Sequence, residues 1–558
     1  MSLLAMAPNS QRRYKAGMNQ AAIQKRAAEM WLRKLLRRGY LPAELPPPFT
    51  SETFAASAVA FAAKWDAGKI RKFWTTPESY SIPRYGDARR KLALVNPINQ
   101  LHIAHLIAAN WADIKARLSR SKITEFKPEF SSSLNGRAIT GVDFDGVARR
   151  RARLLSAYGR YVKTDITRFY PSIYTHSIAW AILGKAHVKA NHHTLAFKRH
   201  FANYLDKAVG SGQEGQTIGI PIGPDTSRIL AELIAVEVEE IAKTHIPDFE
   251  ARGVRYVDDM LIGLPESETS SAVLSGLSLA LYEYQLELNA EKTGTFGLGC
   301  EHTPEWIHFV RTFVLTTKAG QQRDDLDSFF EHAIYLADQN KRDNALLFAV
   351  KRAASFNIKG NNVEHLVRWL LYCARRSATC LAFVAEHLAA INGSTPLPDD
   401  EIHAYILQQI PIKAASGHTN ELAWLLFWAR EIGLIIPASA MDNVMKLRSS
   451  TVGLITLDLW HKSLINGALD FSFWQGFASE AGLKSEMWLI AYEATRKGWW
   501  PKAQSADFIT QHDFFADLWN ANVEFYDPSK KARKRVTPSV LAKIFEQASM
   551  AGSLEYPE

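Results

Sequence analysis

The sequence predicts an α+β fold: a middle segment of mixed strands and helices, followed by an all-α C-terminal half. Three observations predict it. Between about 160 and 315, short β-branched or aromatic runs alternate with longer helical ones. After about 325, apolar residues recur almost everywhere at helical spacing. Before about 45, the chain is helical in pattern and crowded with cations.

That first stretch carries Arg12, Arg13, Lys15, Lys25, Arg26, Arg33, Lys34, Arg37 and Arg38. The Pro-rich segment 41–48 reads as a break. Helix-like runs follow at 52–66 and 100–118. Segments 161–166 and 254–262 read as strands, and a helix is expected from Pro224 to about Lys243. Further helices are expected at 326–338, 342–356, 361–375, 377–391, 399–410, 420–432, 452–466, 484–498, 507–520 and 538–550. Short turns with Gly, Asn or Pro between them suggest a stack of antiparallel helix pairs, a HEAT-like helical repeat without a fixed period. The division expected is a basic helical segment over 1–50, a mixed domain over 51–320 and a helical domain over 321–558.

The 558 residues carry a formal net charge of +9. A basic excess of that size fits a polyanionic partner, and equally a mildly basic soluble protein. Three cysteines, Cys300, Cys373 and Cys380, form no C-x-x-C pair, which argues against a zinc site or a disulfide framework. Residues 1–7 lack the basic and long apolar regions of a signal peptide. No apolar run approaches bilayer length. A soluble, cytoplasmic protein without a membrane partner is expected.

Three short segments carry chemistry. Tyr256-Val257-Asp258-Asp259 lies between two strand-like runs and reads as a β-hairpin with two carboxylates at its tip. Such carboxylates repel each other unless a cation joins them, and hard oxygen ligands suit Mg2+, with Mn2+ as a substitute. Asp also caps turns by bonding its own backbone, so the pair alone does not decide. In Lys163-Thr164-Asp165-Ile166-Thr167-Arg168-Phe169-Tyr170-Pro171, a strand delivers Asp165 at its end. With the hairpin it completes a two-metal site of the kind that clamps both oxygens of a phosphoryl transfer, roughly 3.5–4 Å apart. Gly219-Ile220-Pro221-Ile222-Gly223-Pro224 precedes a long helix, where glycines allow close backbone approach to a nucleotide.

The order and spacing of these segments resemble the palm of reverse transcriptases. A fourth matching segment is Leu286-Glu287-Leu288-Asn289-Ala290-Glu291-Lys292-Thr293. The resemblance implies reverse-transcriptase fingers and palm and an RNA-directed DNA polymerase or DNA nucleotidyltransferase activity. It makes Asp165, Asp258 and Asp259 the catalytic residues, and adds the carbonyl of Ile166 as a metal ligand. It puts Tyr170 at the gate against a ribose 2′-hydroxyl, Gly223 beside the nucleotide and Lys292 at the pyrophosphate. Arg90 and Arg137 are the expected triphosphate contacts of the fingers.

Ile222 departs from the Gln usual at that position in templated enzymes. The variant Ile220-Pro221-Ile222-Gly223-Pro224-Asp225-Thr226-Ser227-Arg228, with Phe169-Tyr170-Pro171-Ser172-Ile173, resembles the bacterial abortive-infection (AbiK-like, "unknown group") reverse transcriptases. That resemblance implies antiphage defence and template-independent, protein-primed synthesis from deoxynucleoside triphosphates. It also implies a single-stranded DNA product covalently attached to the protein, and a homo-oligomer, trimer or hexamer. Tyr14, Tyr40 and Tyr526 lie in or beside basic segments, but nothing in the sequence chooses among them and a structural role is the ordinary reading of each, so no priming residue is assigned. The competing readings are a templated enzyme copying a specific RNA, as in retrons or introns, and an inactive nucleic-acid-binding scaffold. The run Lys530, Lys531, Arg533, Lys534 and Arg535 is either solvated surface or a nucleic-acid contact.

Overall fold

The computed structural model describes residues 8–132, 136–142, 144–297, 304–341 and 343–533, with backbone alone at 8–19, 142, 144, 145 and 148. Tyr14, Cys300, Lys534, Arg535 and the helix expected at 538–550 lie outside the described residues or side chains.

A four-stranded antiparallel sheet stands at the centre, in the order Gly253–Tyr256, Asp259–Leu264, Arg160–Thr164, Gly294–Gly297. Of its middle strands, Asp259–Leu264 is buried throughout and Arg160–Thr164 buries Tyr161, Val162 and Thr164; Val162 and Ile262 are inaccessible to solvent. The Asp225–His245 helix packs against the Ser270–Glu283 helix and contributes Ile229, Leu233, Ala235 and Val238 to the core. This helix begins and ends within two residues of the expected one. The strand expected over 254–262 is two strands, because the chain reverses at Val257-Asp258. The helix expected at 100–118 is also two, Pro97–Ala109 and Trp111–Leu118, and Asn110 ends the first by bonding the Leu106 carbonyl.

A separate hairpin, Glu78–Pro83 with Arg89–Leu94, pairs Ile82 with Arg90. Its first strand packs on the Ala378–Ile391 and Thr419–Ile432 helices. From Gln322 to Ile391, helices pack on their neighbours in succession; Thr419–Ile432 packs on both Ala378–Ile391 and Asp399–Ala415, then meets Ser450–His461, which meets Trp488–Arg496. The regularity ends after Ile432. Two-residue strands, Ile436–Pro437 and Ile465–Asn466, pair in parallel there, against the all-α expectation. The run expected at 507–520 breaks into Asp507–Thr510 and Phe515–Asn520, with His512 accepting from the Phe514 amide between them. No helix among the described residues is long and apolar enough to cross a membrane.

The last described segment straps the two ends of the chain together. Phe525 accepts from the Thr50 amide at 2.9 Å, and the Asp527 amide donates to the Pro48 carbonyl at 2.8 Å. Tyr526 is fully buried there, bonded to Asp458 at 2.8 Å. Tyr40 is equally buried and donates to the Val95 carbonyl. Neither hydroxyl is exposed as a priming site requires: aromatic packing against Phe54, Phe525, Phe49 and Trp499 takes both rings into the core.

Candidate metal and nucleotide site

Strand pairing sets the site. Thr164 pairs with Met260, so the end of one central strand lies beside the start of the other. Asp165 leaves the first strand at that end, and Asp259 opens the second after the turn at Val257-Asp258. One ligand atom from each of Asp165, Asp258 and Asp259 lies within 4.8 Å of the others.

Asp165 and Asp259 are buried and Asp258 is half-buried, and the three carboxylates repel one another. Burial, then the charge of Asp165, pushes Asp258 up to about 7, against the opposing charges of Lys292 and Arg90. Burial, then Asp258 and Asp165, pushes Asp259 well above the usual carboxylate range. Asp259 Oδ2 is buried with no hydrogen-bond partner. An orphaned carboxylate oxygen beside two others is the donor set a hard divalent cation takes. The residues therefore fit a metal.

The fourth sequence segment braces Asp165. Its carbonyl accepts from the Asn289 amide at 2.8 Å, and the Thr167 amide donates to the Glu287 carbonyl at 2.8 Å. These bonds flank the Ile166–Leu288 bridge and leave the Ile166 carbonyl out of that ladder. Asn289 Nδ2 donates to Asp165 Oδ1 at 3.2 Å, and Lys292 Nζ to Oδ2 at 3.0 Å.

Tyr170 is half-buried at the edge of the site, its hydroxyl pushed up by burial and facing the charges of Arg228, Asp258 and Arg90. Its carbonyl accepts from the Ile220 amide, which ties the glycine-containing loop to this segment. Strand alternation separates the two arginines of the outer hairpin. Arg89 grips Glu421 of the Thr419–Ile432 helix with two bonds of 2.7 Å, while Arg90 lies within electrostatic reach of Asp258 and Tyr170. The Ala93 amide donates to the Ile222 carbonyl at 2.8 Å, joining hairpin and loop.

Arg137 is placed otherwise than expected for a triphosphate contact. Its guanidinium donates to Asp225 Oδ1 at 2.8 Å and to the carbonyls of Gly223 and Leu41 at 2.7 and 3.1 Å. It is spent on holding the loop, because Asp225 is fully buried and needs the charge. Asp225 also accepts from Arg228 and from the Ile139 amide. Gly223 carries φ +124°, and a Cβ there would sit 3.1 Å from Pro42, so its role is to let the loop pass close to the N-terminal segment.

A buried ionic network lies beneath the hairpin, and sequence reading missed it. Arg255 is inaccessible to solvent and donates to Glu232 at 2.6 and 2.9 Å, to Glu239, and to the Val257 carbonyl at 2.7 Å. Thr124 and Ser121 bond the same two glutamates. Val257 has φ +56°, a left-handed conformation that a β-branched residue adopts only under constraint. Arg255 supplies that constraint. The available signal was a charge inside an apolar strand, opposite two glutamates seven residues apart on one helix face.

No family model and no curated protein matches the chain. Among solved structures it is similar to apo telomerase from Candida tropicalis, at 11% identity over 72% of this chain and 71% of that one, TM-score 0.30. It is also similar to telomerase from Candida albicans in complex with a TWJ fragment of telomeric RNA, at 12% identity over 72% and 67%, TM-score 0.26. The Candida tropicalis enzyme in complex with that fragment gives 12% over 72% and 68%, TM-score 0.28. Likeness at this level leaves the functional reading to the site itself.

Proposed function

We propose that this protein is a nucleotide polymerase of the reverse-transcriptase type, with divalent metal held by Asp165, Asp258 and Asp259. The observation that carries the reading is the convergence of three carboxylates, two buried and one half-buried, at one strand end and one hairpin tip, with an orphaned oxygen among them. Bound there, Mg2+ supplies activation of the attacking hydroxyl and neutralises charge on the departing pyrophosphate.

The chain's own residues complete the chemistry. Arg90 faces the carboxylates from the outer hairpin and meets the triphosphate. Lys292 stands where a proton is delivered to the pyrophosphate oxygen. The Tyr170 ring closes the space beside the sugar and favours deoxynucleotides. Asn289, bonded to Asp165 Oδ1, fixes the rotamer of that carboxylate.

Template independence is proposed on Ile222, whose aliphatic side chain offers no hydrogen bond to a template or incoming base. The defence setting, protein priming, covalently attached single-stranded DNA and a trimer or hexamer rest on the resemblance of 169–173 and 220–228 to the abortive-infection enzymes. Tyr40 and Tyr526 are not proposed as primers.

Full-length protein incubated with Mg2+ and labelled deoxynucleotides, without template or primer, tests the reading on a denaturing gel. A nuclease-sensitive labelled smear on the protein, abolished by Asp258→Asn, is the expected result. Incorporation only after RNA and primer are added would replace template independence with RNA-templated copying. Undiminished incorporation by Asp258→Asn would overturn the site.

A further inference from the structure

A second, cationic pocket lies on the far side of the 220–225 loop. Its volume is about 330 Å³, within the range of small-ligand sites. The N-terminal segment, the turn at Gly136-Arg137 and the C-terminal strap enclose it.

Five cations line it: Arg37, Arg38, Arg137, Lys530 and Arg533. Their carboxylate partners are too few. Arg38 and Lys530 both bond Glu52 Oε1, at 3.0 and 3.3 Å, and Arg37 lies 3.9 Å from Oε2. Arg137 shares Asp225 with Arg228. Among the described residues, Glu386 is the one carboxylate lining the pocket itself. Counting Glu52, Asp225 and Glu386 against the five leaves two positive charges in excess. Partial burial works against ionising Glu52, yet Lys530, Arg38 and Arg37 hold its carboxyl below the usual range. Arg38 Nε is buried with no hydrogen-bond partner.

The lining also includes apolar side chains, among them Leu41, Pro42, Pro46, Pro47 and Phe49. An occupant suited to both kinds of lining carries an anionic group and an apolar, planar one. Guanidinium groups match phosphate oxygens in bidentate geometry, and a base packs against proline and aromatic faces.

We propose that this pocket binds a phosphorylated nucleotide, either free or as one residue of a single strand, at a site separate from the three aspartates. It is coupled to the loop beside them, since Arg137 lines the pocket and bonds the Gly223 carbonyl, and Pro42 lies against Gly223.

The test uses the full chain in EDTA, which removes metal-dependent binding at the aspartates. Two probes are titrated: a fluorescent ATP analogue and a fluorescein-labelled octathymidylate. The variants are Arg37→Ala with Arg533→Ala, and Ala43→Trp, an exposed lining position where an indole fills the entrance without disturbing the core. Expected is a loss of affinity on the order of tenfold or more in both variants, at an unchanged melting midpoint. Loss for both probes identifies a single-nucleotide pocket; loss for the octathymidylate alone identifies a strand path. Failure of the native protein to bind either probe overturns the proposal. So does affinity within twofold of native in Ala43→Trp, which holds even if the double variant misfolds.

Discussion

Lys292 Nζ lies 3.0 Å from Asp165 Oδ2, while Asn289 holds the other oxygen of the same carboxylate. The pair does two things. It offsets one of three crowded negative charges and, on the proposed reading, keeps an ammonium where pyrophosphate would depart. Lys292→Met removes the proposed proton donor and keeps most of the aliphatic packing. Incorporation is expected to fall by about 10²-fold or more, the usual size of a general-acid contribution. The metal-dependent rise in melting temperature should persist, because the three aspartates remain. Rapid-quench incorporation beside melting curves separates the two; loss of the metal response would make Lys292 structural.

Asp259 sits between two other carboxylates with Oδ2 unpartnered, so its charge costs the metal-free fold stability. Asp259→Asn is expected to stabilise the chain in EDTA by roughly 1–3 kcal/mol of relieved repulsion, read as a higher melting temperature. Mg2+ is expected to stabilise the native chain by binding the folded state, and to do so far less in the variant. Activity falls while stability rises. A variant less stable than native in EDTA would show that repulsion does not dominate there.

The Asp triad was legible because its signal is local. Each carboxylate lies at an end of a strand-like run or in the turn beside it, and strand pairing between Thr164 and Met260 does the rest. The positions of Arg89 and Arg90 were less so. Adjacent residues on a strand face opposite ways, and only the packed helix bearing Glu421 decides which faces the site. Arg137 misled because a lone arginine upstream of the carboxylates has the composition of a phosphate contact. Its partner, Asp225, is 88 residues away, and no spacing rule reveals it. Sequence alone did not choose among the tyrosines beside basic segments; the structure buries the rings of Tyr40 and Tyr526, where the strap between 523 and 530 packs. The helical half was readable as helices through Ile432. After that point short connections and isolated strand pairs set the packing, and apolar periodicity alone does not encode them.

Arg255 carries the only guanidinium charge against Glu232 and Glu239 among the bonds these two glutamates make in the structure, and it holds the strained Val257 carbonyl. Arg255→Met leaves two buried carboxylates without their cation. The expected cost is about 3–5 kcal/mol, the range seen when one partner of a buried pair is removed. Arg255→Lys keeps the charge and loses the fork, so stability should recover in part while incorporation stays depressed. Val257→Gly tests the strain directly, since glycine adopts φ +56° freely. Denaturant melts with single-turnover rates decide: Lys restoring both in full would remove the case for a positioning role.

Glu78 reaches from the outer hairpin to the N-terminus of the Ser450–His461 helix, where one oxygen accepts from Ser449 Oγ at 2.9 Å, and from the Thr451 amide at 3.0 Å. Its other oxygen is buried without a partner. Burial pushes Glu78 up to about 7, against the hydrogen bonds that lower it. A folded-state value above the unfolded one means that the folded chain holds a proton the unfolded chain has released. Stability from this group is therefore full below about 4.5, falls as pH rises toward 7, and is flat above. The shift corresponds to about 3 kcal/mol across that window. Glu493 has the same sign and range, so the native decline is larger than this one group supplies. Glu78→Gln removes the titration but puts an amide donor where no acceptor lies, at a cost of about 1–3 kcal/mol. The two stability curves should cross: the variant is less stable than native at pH 5 and close to it or more stable at pH 8. Urea midpoints at half-unit pH steps in Mg2+, which suppresses the contribution of Asp258, give the comparison. Parallel curves would mean that Glu78 is ionised throughout and that its contact with the helical half is held by charge.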